Sequence, residues 1–170
     1  MRKMVNAALC LALCMILPFL TGQIPEIGSM LLPMHLPVLI CGFLCGGGWG
    51  AAVGLAAPLL RFAVFSMPPM PGCISMAFEL ATYGLMAGVL HRQLAKWGMK
   101  GLYCSLIGAM AAGRLVWGAA QMMIFGLSGS SFPLSAFVAG VLTGSIPGIV
   151  LQLAAVPVLV RALERRGRVG

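Results

Sequence analysis

Three fully charged residues fall inside long apolar runs of this 170-residue chain: Arg61, Glu79 and Arg114. A charge at bilayer depth is costly and is kept where it faces a partner charge, a protein interior or a cavity. A rise of about 1.5 Å per residue puts Arg61 about 8 Å inside the end of its helix. The same rise puts Glu79 about 9 Å inside the matching end of the next helix, so the two are expected to pair. Arg114 falls about 20 Å from that end, near the midplane. No second acid is available to it, because Glu164 belongs at the opposite end and the chain has no Asp. An unpaired guanidinium at that depth calls for an anion, such as the carboxylate or phosphate of a bound molecule. Trp117 and Gln121 follow Arg114 at i+3 and i+7, on the same helix face. Tyr83 stands one turn from Glu79, His35 opens the second helix, and Glu26 lies in the first loop. These groups are expected to converge on one pocket that opens outward. The purely structural alternative is an Arg61–Glu79 bridge with Arg114 held by backbone carbonyls.

The elements that would carry these residues are membrane helices. The chain is 61% hydrophobic and 8% charged, with a mean hydropathy of +1.03. Soluble domains carry about 25% charged residues, so this chain cannot cover a water-facing surface. At roughly 20 residues per span, it fits an all-α membrane protein, a single bundle of about six transmembrane helices over residues 1–170. The apolar runs and their breaks predict helices at Val5–Thr21, Met34–Cys45, Ala51–Ser66, Ile74–Leu94, Gly101–Gly126 and Leu134–Leu163. The second is short for a span. Gly46–Gly50 reads as a tight turn, and the prolines of Met67–Cys73 end the third helix. Pro147 and Pro157 are expected to kink the sixth. The basic start of the first helix resembles a signal peptide, but no small-x-small site follows it.

The net charge of +8 is placed unevenly. Basic residues cluster at Arg2 and Lys3, at Arg92, Lys96 and Lys100, and at Arg161, Arg165, Arg166 and Arg168. A six-span path brings all three clusters to one side. The loops after the first, third and fifth helices, which carry no Lys or Arg, then share the other. This is the positive-inside pattern, with both termini cytoplasmic. It also argues against nucleic acid as a partner, which would need a basic face on a soluble fold. Glu164 is expected to pair with Arg168 at i+4.

Other chemistry is not visible. There is no phosphate-binding G-x-x-x-x-G-K-[ST] loop and no H-E-x-x-H, and no catalytic constellation marks an enzyme. Cys10 and Cys14, and Cys41 and Cys45, sit four apart in apolar runs. They read as small packing residues, not as a metal site, and no cofactor is implied. Small residues recur every fourth position at Gly42, Gly46, Gly50 and Gly54 and at Ala136, Gly140, Gly144 and Gly148. This is the spacing of closely packed membrane helices. A membrane scaffold without cargo is the competing class, and a channel finds no filter-like loop to support it.

The segments Met34–Gly46 (MHLPVLICGFLCG), Ala57–Phe62 (APLLRF), Met76–Gly84 (MAFELATYG) and Ala112–Gly118 (AGRLVWG) carry a further signal. In them the chain resembles the substrate-binding (S) components of energy-coupling-factor vitamin importers, over nearly its whole length. The resemblance implies six helices with both ends in the cytoplasm of a cell membrane. It also implies capture of a vitamin-like small molecule from outside, and an energising T subunit with two ATPases as partners. Ala8 and Ala12 match the small-x-x-x-small motif whose face meets the T subunit in that family. Within the family, the two arginines and one acid favour a cargo with a carboxylate or with mixed charge, pantothenate first and a riboflavin-like or other ring stacked on Trp117 second, while a cationic base would lean on Glu79.

Overall fold

The structure is a computed structural model that describes residues 2–20, 33–66, 70, 72–127, 135 and 146–165. The described residues form six α-helices: α1 (Arg2–Leu20), α2 (His35–Cys45), α3 (Gly47–Phe65), α4 (Gly72–Leu94), α5 (Gly98–Leu127) and α6 (Ile146–Arg165). A single 3-10 turn, Ala95–Trp97, joins α4 to α5. Among the described residues, four stretches are long and apolar enough to cross a membrane: Arg2–Phe19, Gly47–Phe65, Gly72–Gly126 and Ile146–Arg165. The third holds α4 and α5 folded back on each other. α2, with 11 residues, is shorter than a span.

Contacts fix the direction of each helix. Cys14 Sγ donates to the Met34 carbonyl across α1 and α2 at 3.7 Å. Cys73 Sγ donates to the Pro58 carbonyl across α3 and α4 at 3.4 Å. Gly101 lies against Leu94 and Gly113 against the Tyr83 ring, so α5 runs back along α4. Arg161 reaches Met99 across α6 and α5 at 2.9 Å. The helices therefore alternate in direction, and Arg2, Lys3, Arg92, Lys96, Lys100, Arg161 and Arg165 gather at one end. That end is called the basic end below; the other is the far end.

Helix α4 is the centre of the bundle, packed on α2, α3 and α5. Its basic-end half meets its neighbours backbone to backbone. A side chain at Gly84 would run into the Gly50 backbone, and one at Gly88 into Gly47. One at Gly42 would meet the Gly84 carbonyl at 2.5 Å. Without a hydrophobic driving force between helices in lipid, such close approach is what holds them, through dispersion. The small-residue spacing of α2 and α3 is thus an internal seam. It also corrects the expected Gly46–Gly50 turn. Only Gly46 breaks the helix, at φ 99° with open space around it, while Gly47–Gly50 are helical, with Gly47 and Gly50 packed on α4. Of the second small-residue series, Gly148 is buried and Ala136, Gly140 and Gly144 lie outside the described residues.

On α1, Ala7, Cys10 and Cys14 are buried facing α2, where Cys41 and Cys45 are buried in turn. Cys10 and Cys41 touch through their thiols. Ala8 and Ala12 lie on the exposed face with Leu9, Leu13 and Ile16. Away from the basic end the outer surface of the described residues is mostly apolar, as at Leu115 (67% exposed) and Met123 (69%). A bilayer, not water, is the solvent that such a surface matches.

Candidate functional site

The charged residues do not pair as their helix depths suggested. Glu79 Oε1 lies 3.2 Å from Arg114 Nη1 and 3.5 Å from His35 Nε2. Arg61 is elsewhere. Its Nη1 donates to the Met15 carbonyl at 3.3 Å, and its guanidinium lies 5.5 Å from the Phe19 ring and 5.6 Å from the Phe65 ring. Those rings meet edge to face at 5.0 Å. Arg61 is therefore a buried clamp between α1 and α3.

The register explains both corrections. Gly54 lies against Leu80, and Pro58 against Cys73. Arg61, beyond Pro58, is thus at or above the level of Cys73, about 9 Å nearer the far end than Glu79. Arg114 comes within reach because helices do not end level. α5 has 30 residues against 23 for α4 and continues past the start of α4. Gly113 sits on Tyr83, one turn below Glu79, and the long Arg114 side chain spans that turn.

Four residues from three helices thus meet: His35 at the start of α2, Glu79 and Tyr83 on α4, and Arg114 on α5. His35 and Tyr83 rings cross edge to face, 4.9 Å between centres and 86° between planes. His35 is 0% exposed, Tyr83 1%, Glu79 3% and the Arg114 side chain 12%. The Tyr83 hydroxyl has Glu79 and Arg114 as its electrostatic neighbours. Because α2 begins at the level of Glu79, the cluster sits about 10 Å inside the far end of α4.

The cluster is paired in charge but incomplete in hydrogen bonds. The Glu79 contacts have ion-pair distances without hydrogen-bond alignment. Glu79 Oε1 and both ring nitrogens of His35 therefore lack an aligned partner among the described residues. A buried polar group without such a partner costs about 1–3 kcal/mol. Trp117 and Gln121 continue the α5 face toward the far end, both half-buried. Gln121 Oε1 is enclosed and also without a hydrogen-bond partner.

One residue of the same kind was not singled out from the sequence. Gln152 on α6 is 0% exposed, and neither end of its amide has a hydrogen-bond partner among the described residues. His91 Nε2 lies 3.5 Å from Glu164 Oε1 across α4 and α6. Gln152 precedes Glu164 by as many residues as Glu79 precedes His91, so the two lie at about one level of the bundle. A lone amide in the apolar run LQLAAVP was the available signal. The same His91 contact gives Glu164 a partner on another helix; the expected partner Arg168 lies outside the described residues, as does Glu26.

Among the described residues no group of three or more His, Cys, Asp or Glu side chains is arranged to hold a metal. What the cluster offers is an enclosed set of acceptors and donors around one compensated ion pair.

Compared with known proteins, the chain matches the model of one family, described as ECF transporter, substrate-specific component, over residues 2–160. No curated protein and no solved structure matches it.

Proposed function

The chain belongs to the family of substrate-specific components of ECF transporters, and on that premise we propose that the His35–Glu79–Arg114–Tyr83 cluster is where it holds its small-molecule cargo. Members of this family work with a T subunit and ATPase subunits and supply the substrate selectivity of the importer. The observation that carries the assignment is the unmet hydrogen-bonding capacity of His35 and Glu79 in the interior of a membrane bundle. Such capacity is costly for the empty protein and is recovered when a ligand supplies the missing partners.

The basic end faces the cytoplasm by the positive-inside rule, so both termini are cytoplasmic and the cluster is reached from outside. The cargo is a vitamin-like molecule. The chain performs no reaction of its own, and the partner ATPases supply the energy. Gln121 and Trp117 line the approach from the far end, and Arg61 acts by holding α1 to α3 rather than by touching cargo. Ala8 and Ala12, exposed on α1, are the docking positions for the T subunit. The host membrane is a bacterial or archaeal cell membrane.

Native mass spectrometry of the gently extracted protein tests the assignment. A bound small molecule is expected in the wild type and absent from the Glu79→Gln/Arg114→Gln double variant, which keeps the site neutral but removes the pair. A clean apo mass, before and after incubation with a vitamin panel, would return the cluster to a structural role.

A further inference from the structure

The pairing of Arg114 with Glu79 changes what the site can hold. We infer that the cargo is a molecule without net charge that offers several hydrogen-bond donors; this rests on the cargo-binding reading above.

The argument is one of charge and of hydrogen-bond count. Arg114 and Glu79 are in contact at 3.2 Å, so their charges already compensate each other. Arg61 adds nothing, because it is committed to Met15, Phe19 and Phe65 on the other side of the bundle. Glu164 and the clustered cations stand at the basic end. The two fixed charges of the site, Arg114 and Glu79, therefore cancel among the described residues. A cargo carboxylate would compete with Glu79 for Arg114 and leave an uncompensated negative charge in the interior. A cationic cargo would leave a positive one. Removing an ion from water costs several kcal/mol even after relaxation, and only a matched partner offsets it. An uncharged cargo meets no such cost.

The unmet groups give the second half. Glu79 Oε1 and Gln121 Oε1 are acceptors without aligned donors among the described residues. Both ring nitrogens of His35 also lack an aligned partner among the described residues, so the imidazole adds an N–H donor beside the carboxylate. Unmet acceptors stand on both α4 and α5, so the molecule that completes the site brings hydroxyl or amide protons. The T-shaped His35–Tyr83 pair gives the site an aromatic wall beside the Glu79 carboxylate.

The test uses two matched pairs that share a scaffold and differ in charge: pantothenol against pantothenate, and riboflavin against its 5′-phosphate. Binding to the purified wild-type protein is measured by isothermal titration at pH 7. Within whichever pair binds, the uncharged member is expected to bind at least about tenfold more tightly, the factor that roughly 1.4 kcal/mol of uncompensated charge would give. In Glu79→Gln, where Arg114 loses its counter-charge, the ratio is expected to move toward the anion. Equal or tighter wild-type binding of pantothenate or the phosphate overturns the inference and leaves the cargo-binding reading standing. If neither pair binds, the molecule released from denatured wild-type protein decides by its mass. A compound charged at pH 7 overturns the inference, and an uncharged donor-rich one supports it. A protein that releases nothing and binds nothing removes the cargo-binding reading itself.

Discussion

The two halves of α4 are built on opposite terms. Toward the basic end, Gly84, Ala87 and Gly88 press against Gly42, Gly47 and Gly50 until no atom could be added. Toward the far end, Glu79 and Tyr83 face His35 and Arg114 in a cluster that keeps several polar groups without aligned partners. The first half has all its contacts made; the second has contacts to give. A rigid seam next to an unfinished polar cluster is how a small bundle holds a binding geometry, since precise sites need a packed support. The same helix carries both, so the seam sets the depth at which Glu79 meets its partners.

The comparison can be broken most severely in the seam. Gly84→Leu puts a branched side chain into the Gly50 backbone, which has no room to yield. A loss of more than about 4 kcal/mol is expected. It is read as the disappearance of the monodisperse peak in size-exclusion chromatography and of any cooperative melt. A stable, monodisperse Gly84→Leu protein would mean that the seam is not what organises the bundle.

Breaking the polar half comes next. Arg114→Gln leaves the Glu79 carboxylate buried without its cation, which costs about 3–5 kcal/mol when a buried pair is split. The melting temperature in detergent should fall and cargo binding should be lost. The double variant with Glu79→Gln should regain most of the stability and none of the binding. Equal stability of the single and double variants would show that the pair is not coupled.

Gln152→Leu sharpens the contrast. It removes a buried amide that has no hydrogen-bond partner among the described residues, so stability should hold or rise by about 1 kcal/mol. Cargo affinity should fall. Unchanged affinity would place Gln152 outside the site.

The smallest expected effect on stability comes from small residues outside the seam. Ala8→Leu with Ala12→Leu adds bulk on the exposed face of α1. The melt should stay within about 0.5 kcal/mol of the wild type, while co-purification with the T subunit is lost. Normal co-purification would move the docking surface elsewhere.

Much of this was legible in the chain itself. Apolar run length and the prolines and glycines between runs gave the helices, because a bilayer leaves backbone groups no partner except within a helix. The placement of Lys and Arg separated the two ends, and the contacts put those residues together. Glu79, Arg114, Tyr83 and His35 stood out because polar side chains are expensive at bilayer depth. That reasoning identifies which residues need a partner without saying which partner each has. Arg61 and Arg114 carry the same charge, and a depth count that starts every helix at one level paired Glu79 with the wrong one. Register decided it. The overhang of α5 past α4 and the stacking of Gly113 on Tyr83 bring Arg114 to Glu79, while Pro58 against Cys73 lifts Arg61 away toward α1. The sequence by itself determined the solvent of this protein, its helices and the residues that must not be left alone. Only the tertiary structure decided which charges cancel, because cancellation depends on a few ångströms between helices and no periodicity within one helix encodes that distance.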